Sequence, residues 1–117
     1  VERRLPRVAR LMALAIHFEE MVARGEIEDY ATVARLGQVS RARVTQIVNL
    51  ALLAPDIQEE LLFLPQTRRN RDVLTTRVLQ PLAREHSWRR QRAMWARLKA
   101  RLPASALVAD ASEEVPA

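Results

Sequence analysis

The scarcity of glycine is the feature that most constrains the fold of this chain. Only two of the 117 residues are glycine, whereas alanine, leucine and arginine are abundant, and these three lose little conformational freedom on entering a helix. Aromatic residues make up only 4% of the chain, which argues against a β-sandwich or a barrel. We therefore predict an all-α fold, and a hydrophobic fraction of 49% is enough to fill one core.

Capping residues and prolines divide the chain into six predicted helices. Asp29, Ser40 and Ser87 belong to the residue types that favour an N-cap position. A pair of threonines precedes the fifth helix, which Pro81 is expected to bend or to end early. The predicted helices span about 6–24, 30–36, 41–53, 55–64, 75–85 and 87–102.

The helical pattern covers one domain and leaves a tail. Residues 1–102 carry the pattern, and a segment of this length suits a single domain. The remaining residues, 103–117, are mostly small and include three acidic residues and no basic ones. We therefore predict a compact multi-helix domain at 1–102 and a disordered acidic tail at 103–117.

The sequence predicts neither a membrane span nor a secretory signal. No apolar run approaches the roughly 18–20 residues that cross a bilayer. We interpret the N-terminal segment as an amphipathic helix, because His17, Glu19 and Glu20 follow its apolar run closely. The absence of cysteine excludes disulfides and thiolate zinc sites. We expect a cytoplasmic protein that makes no membrane contact.

The segment YATVARLGQVSRARVTQIVNL contains no aspartate or glutamate, although the chain has 14 of them. A helix, a tight turn and a second helix predict a helix-turn-helix at about 30–53. Ala34 is small enough for the second helix to pack against it, and Gly37 can adopt a positive φ in the turn. Val39 is predicted to be buried in the turn. Ser40 then caps the second helix.

The second helix combines an apolar face with polar residues that suit DNA. Val44, Ile47 and Val48 are predicted to face the core. Arginine pairs with guanine, glutamine and asparagine pair with adenine, and hydroxyl groups pair with either. An acidic residue in this segment would be repelled by phosphate. The candidates for base contact are Arg41, Arg43, Thr45, Gln46 and Asn49.

Positive charge is concentrated in two segments. Residues 30–54 carry a net charge of +3 and residues 81–102 carry +6, whereas the whole chain carries +5. Such a distribution favours docking to phosphate groups. The candidates for phosphate contact are Arg35 in the first segment and Arg89, Arg90, Arg92, Arg97 and Lys99 in the second.

The last predicted helix carries an apolar stripe beside its arginines. The stripe consists of Trp88, Trp95, Leu98 and Leu102 at helical spacing. It either packs on the core or forms a seam for self-association or for a protein partner. The arginines are accordingly either solvated or in contact with phosphate, and the pattern alone leaves these alternatives open.

The residues from the helix-turn-helix onward resemble a known family. The segment YATVARLGQVSRARVTQIVNLALLAPDIQEELLFLP resembles the helix-turn-helix domain of the ParB/KorB group over about 25–66, through the recurring pattern LA..LG.S...V...L.LL.LP..IQ. The whole chain is similar to small ParB-type proteins of bacterial mobile elements, often encoded beside recombinases. Their C-terminal ending of the type RPL…W..Q..MW appears here as Gln80-Pro81-Leu82 followed by Trp88, Gln91, Met94 and Trp95.

This resemblance implies that the second helix of the pair binds duplex DNA, and it adds Ser40 to the candidates for base contact. The chain has no counterpart of the N-terminal nucleotide-binding domain of ParB proteins, so we expect no CTP hydrolysis. It also lacks an obvious C-terminal dimerisation domain.

No arrangement of residues predicts catalysis. His17 and His86 have no partners at metal-ligand spacing, and the chain contains no glycine-rich phosphate loop. We therefore expect no enzyme activity, no metal and no cofactor.

These observations predict sequence-specific binding of duplex DNA by a nucleoid-associated homodimer. Its role would be that of a transcriptional regulator or accessory factor of a bacterial mobile element or plasmid. One alternative is a protein-interaction adaptor that docks a recombinase or polymerase component through the last helix. The other is a non-specific nucleic-acid binder.

Overall fold

A computed structural model describes residues 3–68 and 73–103 of the chain. Within these ranges α-helices dominate, so the predicted all-α class is confirmed. The predicted acidic tail lies outside the described residues from position 104 onward. The helices are α1 (Arg7–Ala23), α2 (Tyr30–Gly37), α3 (Arg41–Val48), α4 (Pro55–Leu62), α5 (Thr76–Arg84) and α6 (Trp88–Ala100), with a 3-10 turn at Asn49–Leu52 after α3. Two short strands, β1 (Arg3–Arg4) and β2 (Thr67–Arg68), pair in antiparallel orientation.

Side-chain caps begin four of the helices. In each case a side-chain oxygen accepts a hydrogen bond from the backbone N–H three residues later, which satisfies a group that the helix itself leaves free. The caps predicted at Asp29, Ser40 and Ser87 are confirmed, and Thr75 is the threonine that caps α5. The donors are Thr32 at 2.9 Å, Arg43 at 3.0 Å, Arg90 at 3.3 Å and Val78 at 3.2 Å.

The end of one predicted helix is corrected by the structure. The helix predicted at 41–53 ends at Val48, and the 3-10 turn follows it. Leu53 and Ala54 are extended, as expected for a residue such as Ala54 that precedes a proline.

Pro81 does not end α5 early, because the helix continues to Arg84. The carbonyl that Pro81 leaves without a partner belongs to Arg77, and because both residues are exposed, water can bind it.

The turn between α2 and α3 differs from the prediction. Gly37 is the last residue of α2, and the left-handed conformation belongs instead to Gln38, with φ 56° and ψ 40°. The N–H of Val39 bonds the carbonyl of Ala34 at 3.0 Å, and the N–H of Gln38 bonds that of Arg35 at 3.3 Å. This pair of bonds ends a helix with a left-handed residue that is usually glycine. The prediction of positive φ at Gly37 was therefore wrong by one position.

The predicted burial of Val39 in this turn was also wrong. The side chain of Val39 is 47% exposed. Its Cγ2 atom lies against the backbone of Gly37, 3.8 Å from the position that a Cβ would take there. The turn therefore covers only one side of Val39 and leaves the other in solvent.

Replacing Gln38 with glycine is expected to raise the free energy of unfolding by about 0.5–1 kcal/mol. A side chain at positive φ costs about 1–2 kcal/mol, and part of this gain is offset by the greater freedom of glycine in the unfolded chain. Urea denaturation followed by circular dichroism measures the change. Gly37→Ala is the matched control, because Gly37 is helical and its Cβ would make an ordinary contact. A Gln38→Gly protein less stable than the wild type would contradict this view of the turn.

The core lies between α1 and the segment that follows α3. Helix α1 contacts α3, α4 and the 3-10 turn, and it buries Val8, Met12 and Ala15 almost completely. The segment facing it contributes Leu50, Leu53, Ile57 and Leu61, none of them more than 1% exposed. This packing holds one side of α3 against α1 and leaves its other side at the protein surface.

Gln91 of α6 is a buried polar side chain that joins three backbone groups. It is 1% exposed. Its Oε1 accepts from the N–H of Ala54 at 2.7 Å, and its Nε2 donates to the carbonyls of Leu52 at 3.1 Å and Glu85 at 2.9 Å. A single amide therefore holds the entry to α4 and the end of α5 against α6.

The apolar stripe of α6 is divided between core and surface. Trp95 is 3% exposed, and its ring N–H donates to Glu60 at 2.9 Å. Leu98 and Leu102 are partly buried against the core. Trp88 is 49% exposed. The C-terminal part of the stripe thus packs inward, while its first residue faces solvent.

Candidate nucleic-acid interface

Helices α2 and α3 pack together as a helix-turn-helix unit. Ala34 of α2 is 4% exposed, as expected for the small residue where the two helices meet. Val44 and Ile47 of α3 are 1% and 7% exposed, and Val48 is partly buried. The predicted inward face of α3 is confirmed, and this face holds the helix against α1 and α2.

The opposite side of α3 is exposed and polar. Arg41, Ala42, Thr45 and Gln46 are all exposed. Residues three to four positions apart share a helix face, so these four form one continuous surface opposite Val44 and Ile47. We call this surface the α3 face. It presents a guanidinium, a hydroxyl and an amide with no acidic residue among them.

Arg43 lies at the edge of the α3 face and is held by two partners. It is only partly exposed. Its Nη1 donates to Thr76 Oγ1 at 3.1 Å and to Gln46 Oε1 at 3.3 Å. The guanidinium is therefore oriented by α5 before any ligand is present.

Asn49 and Ser40 also have structural roles. The Nδ2 of Asn49 donates to Gln80 Oε1 at 3.3 Å, and the Nε2 of Gln80 donates to the carbonyl of Gln46 at 3.0 Å. Ser40 is exposed, and its hydroxyl oxygen accepts the capping bond from Arg43. The side chains of Arg41, Thr45 and Gln46 are thus exposed, and Arg43 lies beside them. Asn49 instead forms a hydrogen bond with α5.

Thr76 and Gln80 were not predicted to belong to this site. Both are 7% exposed, and they contact α3 from more than 30 residues away in the sequence. The available signal was weak: the two residues are four positions apart, so they share one side of α5. Nothing in the sequence says which helix that side meets.

Arg35 and Arg41 lie close enough to Asp29 to act on its charge. Hydrogen bonds from the backbone N–H and the hydroxyl of Thr32 are the largest cause that lowers the pKa of Asp29, and the charges of Arg41 and Arg35 lower it further. The two arginines therefore favour the ionised form of the residue that caps α2. Asp29 is the acidic residue nearest in sequence to the acid-free segment.

The cap at Asp29 is expected to weaken in acid. Because its folded pKa lies below the usual 3.8, its contribution is present above that value and is lost as the pH falls through the lower folded pKa. Thermal unfolding of the wild type and Asp29→Ala between about pH 6 and about pH 2 measures this. The difference in melting temperature between the two proteins should become smaller below pH 3.8. A difference that stays constant across the range would contradict the assignment.

Three of the candidate phosphate contacts on α6 pair with carboxylates. Arg92 Nε lies 3.1 Å and 3.0 Å from the two oxygens of Asp56, and this pairing lowers the pKa of Asp56. Lys99 Nζ lies 3.0 Å from Glu60 Oε2 and 5.4 Å from the centre of the Trp95 ring. The Arg90–Glu85 pair is longer, at 4.0 Å. Arg92 and Lys99 therefore link α6 to α4, whereas Arg90 pairs with the residue that follows α5.

The other candidate cations remain open to solvent. Arg35, Arg89 and Arg97 are exposed, and among the described residues no carboxylate lies within 4 Å of them. Arg35 belongs to α2, beside the α3 face, whereas Arg89 and Arg97 belong to α6. The positive segments of the sequence thus occupy different helices of the fold.

The amide of Gln58 has a structural role just after the 3-10 turn. Its Nε2 donates to the carbonyls of Ala51 at 3.0 Å and Leu53 at 2.8 Å. These bonds satisfy backbone groups at the end of the 3-10 turn, which leads into α4. The glutamine of the IQ pair therefore stabilises the connection that follows the helix-turn-helix.

The described ranges contain neither a metal-ion cluster nor a membrane-spanning helix. No group of three or more histidines, cysteines or carboxylates is arranged to hold a metal ion there. No helix in these ranges is long and apolar enough to cross a membrane. Comparison of the chain with family models, curated proteins and solved structures finds no significant match.

Proposed function

We propose that the protein binds duplex DNA and that the α3 face enters the major groove to contact base edges. The observation that carries the proposal is the composition of this face: Arg41, Thr45 and Gln46 are exposed on one side of a helix that α1, α2 and α5 hold from the other sides. Arginine can form two hydrogen bonds with the edge of guanine, and glutamine can form two with the edge of adenine.

The supporting structure around α3 favours specific readout. Arg43 is oriented by Thr76 and Gln46, and the backbone of α3 is tied to α5 through Gln80. Side chains that are already ordered lose less entropy on binding. Arg43 is therefore proposed as a base contact at the edge of the face, while Asn49 and Ser40 are proposed to contribute mainly to the shape of the helix-turn-helix.

We expect the protein to bind as a homodimer to paired half-sites. A single helix of eight residues reads only a few base pairs, and dimers of helix-turn-helix proteins bind half-sites about 34–36 Å apart. The role of a regulator or accessory factor of a bacterial mobile element rests on the resemblance to ParB/KorB proteins. An association with the nucleoid and the absence of enzyme activity belong to the same proposal.

A protein-interaction adaptor is the second candidate function. The observation that favours it is the exposure of large apolar side chains on and beside α4 and α6: Phe63 is 78%, Leu52 56% and Trp88 49% exposed. Aromatic side chains often anchor protein interfaces. This function does not exclude DNA binding, because these residues do not belong to the α3 face.

Selection from a random duplex library tests the proposal. The wild-type protein is mixed with the library at about physiological salt, and the bound pool is sequenced. An enriched motif, especially an inverted repeat, would support a specific dimeric binder and give the half-site spacing. Binding without enrichment would indicate a non-specific binder, and no binding would reject the DNA function.

A further inference from the structure

We propose that Arg77 of α5 binds a backbone phosphate of the duplex whose bases the α3 face contacts. This inference rests on the function proposed above. Arg77 lies in residues 55–80, whose net charge is zero, so the charge distribution along the sequence gives no reason to single it out. The reason to single out Arg77 is its position beside α3 in the fold.

Hydrogen bonds show that α5 lies alongside α3 and runs in the same direction. Thr76, at the start of α5, bonds Arg43 near the start of α3. Gln80, one turn later, bonds both the carbonyl of Gln46 and the side chain of Asn49. Because the partners advance together along both helices, the first turns of α3 and α5 lie at the same end of the pair.

The direction of Arg77 follows from helix geometry. Successive residues of an α-helix are about 100° apart. On α5, Thr76 and Gln80 face α3. The line through Thr76 and Gln80 divides the surface of α5 into two sides. One side is buried in the core and carries Leu79, Leu82 and Ala83. Arg77 follows Thr76 by one position and lies on the other side, where it is exposed.

The same reasoning places the α3 face next to Arg77. On α3, the side toward the core carries Val44 and Ile47. Gln46 lies at the edge nearest α5, since its carbonyl bonds Gln80 while its side chain remains exposed. The exposed sides of the two helices therefore form one continuous surface, with Gln46 at the junction and Arg77 across the seam.

The guanidinium of Arg77 forms no ion pair with any of the described residues. No carboxylate of the described residues lies within 4 Å of it. A cation in the first turn also gains nothing from the helix dipole, which favours negative charge at that end. An exposed guanidinium that has no carboxylate partner among the described residues and lies beside the α3 face suits a phosphate group, which it can bind with two N–H groups.

The test is the salt dependence of binding for Arg77→Ala, Arg77→Lys and Arg101→Ala. Fluorescence anisotropy is measured over a salt series on the duplex that the wild type binds most tightly in the selection. Arg101→Ala is the matched control, because it removes the same charge from an exposed site at the end of α6. Each phosphate contact that is lost should reduce the magnitude of the negative slope of log K against log salt by about 0.9, so a dimer that loses one contact in each protomer should show a reduction of about 1.8.

We expect Arg77→Ala to reduce the magnitude of the slope by about that amount and to weaken binding to all duplexes alike. Arg77→Lys should keep most of this magnitude, and Arg101→Ala should leave it unchanged. If wild type and Arg77→Ala bind with the same slope while α3 variants lose binding, the phosphate contact is rejected and the proposed function stands. If Arg77→Ala instead changes sequence preference, a base contact replaces the phosphate contact. If the wild type binds no duplex, both proposals are rejected.

Discussion

Replacing Gln91 with alanine is expected to lower the free energy of unfolding by about 3–5 kcal/mol. The substitution removes three hydrogen bonds and leaves the N–H of Ala54 and the carbonyls of Leu52 and Glu85 without their partner. Each unsatisfied buried polar group costs about 1–3 kcal/mol, and the cavity left by the side chain adds to this. For a domain of this size, the loss is a large part of the total stability.

Urea denaturation followed by circular dichroism measures the effect. The control is Gln46→Ala, the same substitution at an exposed position of α3, which should change stability by no more than about 0.5 kcal/mol. Gln91→Glu should also destabilise the fold, because it replaces the donor of two of the bonds with a buried carboxylate. A Gln91→Ala protein within about 1 kcal/mol of the wild type would show that the amide network contributes little.

Replacing Arg41 or Gln46 with alanine is expected to reduce sequence preference rather than fold stability. Each two-point contact between a side chain and a base discriminates against the wrong base by about 1–3 kcal/mol. The ratio of affinities for the selected duplex and a scrambled one should therefore fall by roughly 5- to 150-fold for each contact that a variant loses, and a dimer loses one in each half-site. Competition binding at fixed salt measures this ratio.

Arg89→Ala provides the matched control for Arg41→Ala. Arg89 is an exposed arginine without a carboxylate within 4 Å in the described residues, and it lies on α6 instead of α3. Its loss should leave the ratio of specific to scrambled binding unchanged, whether or not it weakens both. Equal ratios for wild type, Arg41→Ala and Gln46→Ala would show that the α3 face does not read sequence.

The features that the sequence predicted well depend on neighbouring residues. The caps at Asp29, Ser40 and Ser87 each bond the residue three positions later, so the local sequence contains both partners. The inward face of α3 follows from helical periodicity in the same way. Gln38 is an instructive exception: the left-handed position lies four residues after Ala34, but it carries no glycine to mark it.

The features that the sequence did not reveal depend on residues far apart in the chain. The bonds from Arg43 to Thr76 and from Arg92 to Asp56 join residues 33 and 36 positions apart. Whether an arginine faces solvent, another helix or a carboxylate is decided by how helices pack, and periodicity does not give that. For this reason the sequence predicted Arg92 and Lys99 as phosphate contacts although both are paired in the fold, and it gave no signal for Arg77, which lies in a segment of zero net charge.

The most direct test of the central proposal is to map the DNA-binding surface by NMR. Amide signals of the isotope-labelled full chain are recorded with and without the selected duplex. We predict that the largest shifts fall on the backbone of α3 from Arg41 to Gln46, with smaller shifts in the first turn of α5 around Arg77. Largest shifts around Phe63 and Trp88, with α3 unmoved, would contradict the proposal that the α3 face binds DNA.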